Sequence, residues 1–395
     1  MHARPIKPGI QSISCVHWER RLFDALIPLP DGTSYNAYLV QGQDATALID
    51  SADPALTEEL MEQLADVDKI DYIVSQHSEQ DHAGALPVLA ERYPSAKVVC
   101  NEKARVMLTS HLHLPEDRIQ LVEDGDMLAL GGKTLTFVYT PWVHWPETFC
   151  TYVPEDKLLF TCDFFGSHLA TTDLFVTDEA LVYEAAKRYY AEIMMPFRKT
   201  IVKNLDKLAA LDFDMIAPSH GPVYDEPGFI LDAYRDWTSP QMKNEVVLPY
   251  ASMHGSTEIM VKHLIDALAR HGVTVLAFDL TVTDIGKLAI ALVDAATLVV
   301  GTPTVHVGPH PAVYYASHLA NLLRPKLKYA AIIGSYGWSS KAIEQIAGLI
   351  PNLKVDVLGT VLHKGLPDRE TFAQLDALAA SIAKAHAADE HVQTD

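Results

Sequence analysis

His77-Ser78-Glu79-Gln80-Asp81-His82 sets imidazole and carboxylate donors in one short stretch, directly after the apolar run Ile70-Asp71-Tyr72-Ile73-Val74. The same arrangement, an apolar strand-like run ending in a ligand-type residue, recurs further along the chain. Leu135-Thr136-Phe137-Val138-Tyr139 leads to His144, Lys157-Leu158-Leu159-Phe160 to Asp163, and Phe213-Asp214-Met215-Ile216 to His220. Segments remote in sequence are thereby predicted to deliver His77, Glu79, Asp81, His82, His144, Asp163 and His220 to one edge of a sheet, where sites commonly form. The donors are nitrogen and oxygen without a thiolate, and they suffice for two metals. Three carboxylates and four neutral imidazoles set about three negative charges against four from two divalent ions, so a single hydroxide would bring the site near neutrality. Asp163, with two oxygens, is suited to bridge. Residues 77–82 are expected to form a loop between a strand and a helix beginning near Ala83. An ordinary core histidine would explain any one of these positions, but not the coincidence of spacing and strand-end placement.

Composition narrows the setting. With 395 residues and 49% hydrophobic content, the chain can bury more than one core. A formal charge of -20 opposes binding to nucleic acid or anionic lipid. No apolar stretch approaches the roughly 20 residues that span a bilayer, and the N-terminus reads without a secretory signal, so a cytoplasmic protein is expected. Cys15, Cys100, Cys150 and Cys162 are far apart with no C-x-x-C, which argues against zinc ribbons, iron–sulfur clusters and disulfides. Strand alternation predicts that Cys162 points away from Asp163 into the core. Among the other histidines, His168 is a candidate to orient a ligand, whereas His2, His17, His111, His113, His263, His271 and His318 read as surface or packing residues.

The style of the chain changes near Ser239-Pro240-Gln241-Met242-Lys243-Asn244, which predicts domains at 1–243 and 244–395. Beyond it, strands at 245–250, 273–280, 297–301, 329–334 and 355–358 alternate with helical segments, the first from Thr257 to Arg270. Parallel neighbours need helical crossovers, so this pattern specifies an α/β, doubly wound parallel sheet. After its first strand, Ser252-Met253-His254-Gly255-Ser256-Thr257-Glu258 concentrates hydroxyls and amides at a helix N-terminus, a cradle for a phosphate monoester. Neither G-x-x-x-x-G-K-[ST] nor G-x-G-x-x-G follows any strand, which disfavours nucleoside triphosphates and dinucleotides. Gly301-Thr302-Pro303-Thr304 and Gly334-Ser335-Tyr336-Gly337-Trp338-Ser339 follow later strands on the same carboxyl edge, where Tyr336 and Trp338 can flank an aromatic ring.

The fragments H-S-E-Q-D-H, P-W-V-H-W-P, C-D-F-F-G and P-S-H-G, together with the three loops, resemble those of flavodiiron proteins along nearly the whole chain. The resemblance implies an N-terminal metallo-β-lactamase-like αββα sandwich followed by a flavodoxin-like domain. It implies one iron held by His77, Glu79 and His144, a second by Asp81, His82 and His220, and Asp163 between them. It also implies FMN bound by Ser252, Met253, His254, Gly255, Ser256, Thr257, Pro303, Thr304, Val305, His306, Ser335, Tyr336, Gly337 and Trp338. In hydrolytic members of the sandwich fold the position of Glu79 is usually histidine, and a hard oxygen donor there shifts preference from zinc toward iron. The activity so implied is reduction of dioxygen to water, of nitric oxide to nitrous oxide, or both. The alternative is a dinuclear zinc hydrolase with a regulatory flavodoxin domain. The resemblance further implies a head-to-tail homodimer or dimer of dimers. Because paired C-x-x-C knuckles are absent, electrons are expected from a separate rubredoxin-like protein or a reduced deazaflavin. Two departures from the family pattern stand out: Leu22-Phe23-Asp24-Ala25 replaces F-H-G, and Val305-His306-Val307 stands where the family usually has asparagine. The first bears on proton supply and the preferred gas, the second on hydrogen bonds to the flavin ring.

Overall fold

In the computed structural model, which describes residues 2–393, successive side chains of the strand Thr33–Gln41 serve two different cores. Tyr35, Ala37 and Leu39 point to one face, where they meet Leu60 and Leu64, Leu86 and Leu89, and Ala104 and Leu108 from the helices flanking the sheet. Tyr38 and Val40 point the other way, toward Phe137, Phe149, Leu158 and Phe160 of a second sheet. A period of two places these residues. The chain divides into two compact units, Met1–Tyr190 with Phe197–Thr238, and Ala191–Pro196 with Ser239–Asp395.

The first unit contains a seven-stranded and a five-stranded sheet. In the larger, Arg4–Lys7, Ile10–His17, Thr33–Gln41, Thr46–Ile49, Tyr72–Val74, Lys97–Cys100 and Ile119–Leu121 lie side by side, the last four parallel. In the smaller, the order is Met127–Ala129, Thr134–Tyr139, Phe149–Val153, Leu158–Cys162 and Met215–Pro218. Helices cover the outside: Asn204 of Arg198–Leu208 donates to Pro141 O, and Lys207 to Tyr139 O. This is the expected αββα sandwich. Its use is directional. Tyr72–Val74 and Lys97–Cys100 run parallel, as do Leu158–Cys162 and Met215–Pro218, so His77, Asn101, Asp163 and His220 all emerge just past carboxyl ends. Thr134–Tyr139, two antiparallel steps from Leu158–Cys162, runs the same way and leads to His144.

The second unit orders its parallel strands Thr274–Asp279, Met242–Tyr250, Ala295–Val305, Tyr329–Tyr336 and Asp356–Lys364. In chain order that is 2-1-3-4-5, the flavodoxin-like sequence with its switch point between the first and third strands. Val246, Leu248, Val299, Ala331 and Ile333 pack under the helices Ser256–Arg270 and Arg369–Ala388. The last strand runs six residues beyond the 355–358 expected. Gly359 reads as a break, but it sits at a bulge where the pairing jumps from Ala330↔Val357 to Ala331↔Gly359, and the strand continues. A short strand, Val392–Gln393, adds to Met242–Tyr250 and leaves no periodic signal in the sequence. Among the described residues, no helix is long and apolar enough to cross a membrane.

The C-terminal helix is pinned by a buried histidine. His386 Nδ1–H donates to Asn244 Oδ1 (2.8 Å), and the Thr297 hydroxyl donates to Nε2 (2.6 Å). Burial pushes this imidazole down to about 4, against the pull of Asp389. The unfolded chain therefore takes up the proton first, near pH 6.5, and native stability falls as pH drops from there toward 4. Across that window the loss attributable to His386 should reach about 3 kcal/mol. Denaturant midpoints of the natural chain and of His386→Gln, compared between pH 4 and 7, should converge toward the acid end; parallel curves would exclude the assignment.

Candidate metal centre and ligand cleft

All seven residues singled out from the sequence converge. His77 and His144 each bring Nε2 to within 3.0 Å of Glu79 Oε2 and 3.4 Å of Asp163 Oδ2. On the other side, His82 Nε2 lies 2.9 Å and His220 Nε2 3.3 Å from Asp163 Oδ1, and both lie 3.3 Å from Asp81. The two oxygens of Asp163 are thus divided, one to each cluster. His77, Asp81, His82, Asp163 and His220 are buried, whereas Glu79 and His144 are partly open.

The local structure differs from expectation in two places. Residues 80–83 form a short helical turn rather than loop, with Glu79 as its N-cap. That turn, not strand alternation, lets adjacent Asp81 and His82 face the same space. Cys162 is buried as expected, but its backbone takes φ 50, which breaks the pleat before Asp163. Its sulfur consequently lies among the ligand atoms of His82 and Asp163, within 4.8 Å. Burial and the nearby Asp50 and Asp163 carboxylates hold that thiol well above its ordinary range, which disfavours the thiolate.

Electrostatics mark the cluster as a cation site. Both oxygens of Asp81 and of Asp163 and both ring nitrogens of His82 are buried without a hydrogen-bond partner. Buried polar atoms left unpaired cost about 1–3 kcal/mol each, and more when charged. Burial disfavours the imidazolium forms, yet neighbouring carboxylates overcome it. His220 is pushed up to about 10 by Asp163 and Asp81, His144 to about 9 by Asp163 and Glu79, and His77 well above its usual value by Glu147 and Glu79. Asp163, although buried, is held well below the carboxylate range by His82, His144 and His220. Cations entering between them would displace those protons, and the nitrogen and oxygen set fits borderline-to-hard divalent metals.

Two further residues were not singled out from the sequence. Glu147 accepts the Nδ1–H of His77 at 2.8 Å and the amide of Ser78 at 3.1 Å. Asp50 is a buried carboxylate, φ 56, that accepts from Gln76 N (2.8 Å), Gln76 Nε2 (2.9 Å) and Ser219 Oγ (3.3 Å). It thereby grips the residues just before His77 and His220. His220 is set from a third direction: its Nδ1–H donates to Ser34 O (2.7 Å), and Gly221 takes φ +80, where a Cβ would meet Ser167 Oγ at 2.0 Å. His168 packs its ring 4.8 Å from that of His220 and hydrogen-bonds Thr33 through Nδ1, so it touches no ligand's second nitrogen. Asp24 occupies the exposed turn of the hairpin pairing Leu22–Phe23 with Ile27–Pro28. Partial burial and the charges of Glu79 and Asp81 push its carboxyl up to about 6, which puts it within electrostatic reach of the cluster.

In the second unit, a cleft of about 290 Å³ opens at the switch point between the first and third strands. All the residues expected around the flavin line it except Gly255, Val305 and His306, and Gly365 joins them. Gly255, at φ +87, shapes the entry to the helix Ser256–Arg270. His306 and Val307, with φ 46 and 74, form the two-residue tip of a hairpin closed by Val305↔Gly308. The His306 side chain is exposed there and lines no part of the cleft. Thr257 and Ser335 hydroxyls meet across the floor at 2.9 Å. Trp338 (81% exposed) and Met253 (52%) project beside the opening, the disposition of side chains that flank a planar ring.

Comparison with known proteins agrees with both halves. A family model described as ODP family beta lactamase matches residues 33–221. A nitric oxide reductase of Moorella thermoacetica is 36% identical over 89% of this chain and 90% of its own length. Among solved structures, the rubredoxin oxygen:oxidoreductase from Desulfovibrio gigas superposes with a TM-score of 0.93 at 31% identity, covering 97% of this chain and 98% of that one. The flavodiiron protein from Giardia intestinalis follows with a TM-score of 0.91 at 28% identity, covering 97% and 96%. These relatives do not favour the hydrolase alternative.

Removing the Asp50 carboxylate should loosen the cluster without touching a ligand. Asp50→Ala is expected to weaken metal retention and to lower stability by about 1–3 kcal/mol, because buried donors of Gln76 and Ser219 lose their acceptor. Elemental analysis after dialysis and a urea titration measure the two; unchanged values in both would remove Asp50 from this role.

Proposed function

The chain belongs to the flavodiiron proteins, and from that membership we propose that it reduces dioxygen to water, nitric oxide to nitrous oxide, or both, with two irons and FMN as its cofactors. The observation that carries the reading is the division of the Asp163 oxygens between two histidine–carboxylate clusters, with orphaned buried atoms on both Asp81 and Asp163. His77, Glu79 and His144 would hold one iron, Asp81, His82 and His220 the other, and Asp163 would touch both. When bound, the iron pair supplies electrons and Lewis acidity to the gas, and FMN supplies the electrons that restore it.

The chain's own residues do the rest. Glu147 and the Ser34 carbonyl take the Nδ1–H of His77 and His220, which fixes the tautomer that presents Nε2 to the metal. The rings of Tyr35, Tyr189 and Trp145 pack edge-on or tilted against these imidazoles and keep water from their faces. Either reaction consumes protons as well as electrons. Asp24, whose carboxyl is pushed up by partial burial and the charges of Glu79 and Asp81, stands at the solvent side of the cluster, where a proton could be held. In the cleft, the Ser252, Ser256 and Thr257 hydroxyls and the amides opening the helix Ser256–Arg270 suit a phosphate monoester, while Trp338 and Met253 suit the ring.

The working unit we propose is a homodimer or dimer of dimers in which each FMN serves its neighbour's irons. Electrons arrive from a separate carrier, a rubredoxin-like protein or a reduced deazaflavin; the Desulfovibrio gigas relative is named for rubredoxin. An anaerobic assay with chemically reduced protein, following consumption first of oxygen and then of nitric oxide, tests the reading and settles the gas. Protein that carries zinc, or that consumes neither gas, would refute it. Asp163→Ala should cost about 100-fold or more in turnover, beyond the loss from outer-shell changes, and should lower iron content; full activity with both irons retained would disprove the bridging role.

A further inference from the structure

The two halves of the metal cluster differ in what stands behind them. On one side, His77 Nδ1 lies 2.8 Å from Glu147 Oε1, and both side chains are wholly buried. On the other, His220 Nδ1 faces a neutral backbone carbonyl, Ser34 O, at 2.7 Å, and His82 Nδ1 has no hydrogen-bond partner. Among the described residues, a carboxylate hydrogen-bonded behind a ligand imidazole is therefore found on the His77 side alone. Asp50, the other buried carboxylate nearby, gives its oxygens to Gln76 and Ser219; its charge is felt at His82, but it makes no hydrogen bond to an imidazole. Among the described residues, Glu147 forms no ion pair with a lysine or arginine, and its Oε1 is shared between His77 Nδ1 and the Ser78 amide.

Glu147 is also held still. Asn101 Nδ2 donates to its backbone carbonyl at 2.6 Å, while Asn101 Oδ1 caps the helix Glu102–Leu112 by accepting from Ala104 N at 3.0 Å. A helix terminus thus anchors the backbone of Glu147, and the Trp145 ring closes edge-on over His77 at 4.9 Å between centroids. A carboxylate that accepts Nδ1–H raises the donor strength of the opposite nitrogen and favours the more highly charged state of whatever that nitrogen binds.

Resting on the diiron reading above, we propose that Glu147 is a positioning residue that makes the two metal positions unequal: the metal held by His77, Glu79 and His144 is the more tightly bound and the later reduced, and the metal held by Asp81, His82 and His220 is released and reduced first. The asymmetry lies in the protein and is present before any substrate arrives.

The holoprotein tests this by two readouts other than turnover: metal retained under increasing chelator, and a stepwise reductive titration followed spectroscopically. The natural chain should lose its metals in two phases and reduce in two steps. Glu147→Gln keeps the shape and removes the charge; it should weaken the later-leaving metal by about 10–100-fold, merging the two phases, and move the later reduction step earlier while the first stays in place. Glu147→Asp, with charge retained, should recover part of both effects. Single-phase metal loss from the natural chain, or a Gln variant that shifts both steps equally or neither, would overturn the proposal. Should Glu147→Gln not fold, the natural chain and Glu147→Asp still decide. Metals other than iron in the purified protein would refute the diiron reading, while the chelator profile would still judge Glu147.

Discussion

One carboxylate, Asp163, organises the first unit. It is buried, its oxygens face opposite directions, and each is approached by two imidazoles between 2.9 and 3.4 Å away. A lone carboxylate in that position would be expensive to ionise. Surrounded by four imidazoles it is instead held well below its ordinary range, and those imidazoles, with Asp81 and Glu79, form a shell that only cations can complete. The interior of the sandwich is therefore polar at one edge by construction, and the apolar core between the sheets ends where these residues begin.

The sandwich makes this possible because strands from both sheets finish at the same edge. Each short strand contributes a ligand or a residue that braces one: Thr46–Ile49 leads to Asp50, Tyr72–Val74 to His77, Lys97–Cys100 to Asn101, Leu158–Cys162 to Asp163, and Met215–Pro218 to Ser219 and His220. Asp50, Asn101 and Glu147 tie these ends to one another. The rigidity of the site comes from the ladders behind it, and the hydrogen bonds adjust only the last residue or two.

How much of this was legible follows from the kind of signal each residue leaves. A ligand at the end of an apolar run is visible because hydrophobic periodicity and residue type change together. Asp50 obeys that rule too, after Ala47-Leu48-Ile49, but a solitary aspartate at a strand end is indistinguishable from a turn residue until its partners are known. Glu147 gives no such signal: it lies three residues after His144 in a loop, and only the fold brings it behind His77. Alternation fails at Cys162, where a left-handed backbone breaks the pleat, and the strand continues past Leu358 although a glycine at a bulge looks in sequence like a glycine at a turn. The fold class and the family were readable since they depend on many residues at once; the bracing was not, since it depends on single contacts.

The two departures from the family's pattern fall at structurally equivalent points. Asp24 and Ala25 take φ 49 and 52, and His306 and Val307 take φ 46 and 74, each pair turning a hairpin. Residues other than glycine, asparagine or aspartate rarely adopt such backbone, and a β-branched residue pays about 1–3 kcal/mol there. Something must hold it. For Val307 the carbonyl accepts from Lys341 N at 2.6 Å, and Gly308 lies so near Gln345 that a Cβ would meet its Oε1 at 2.4 Å. For Asp24 the turn is closed by Leu26 N donating to Phe23 O at 2.9 Å, with Phe23 buried beside His168. In both cases the backbone is held while the side chain at the tip, Asp24 or His306, is exposed. A charge at such a tip reaches the site through space, as that of Asp24 does toward Glu79 and Asp81, without a hydrogen bond to any ligand.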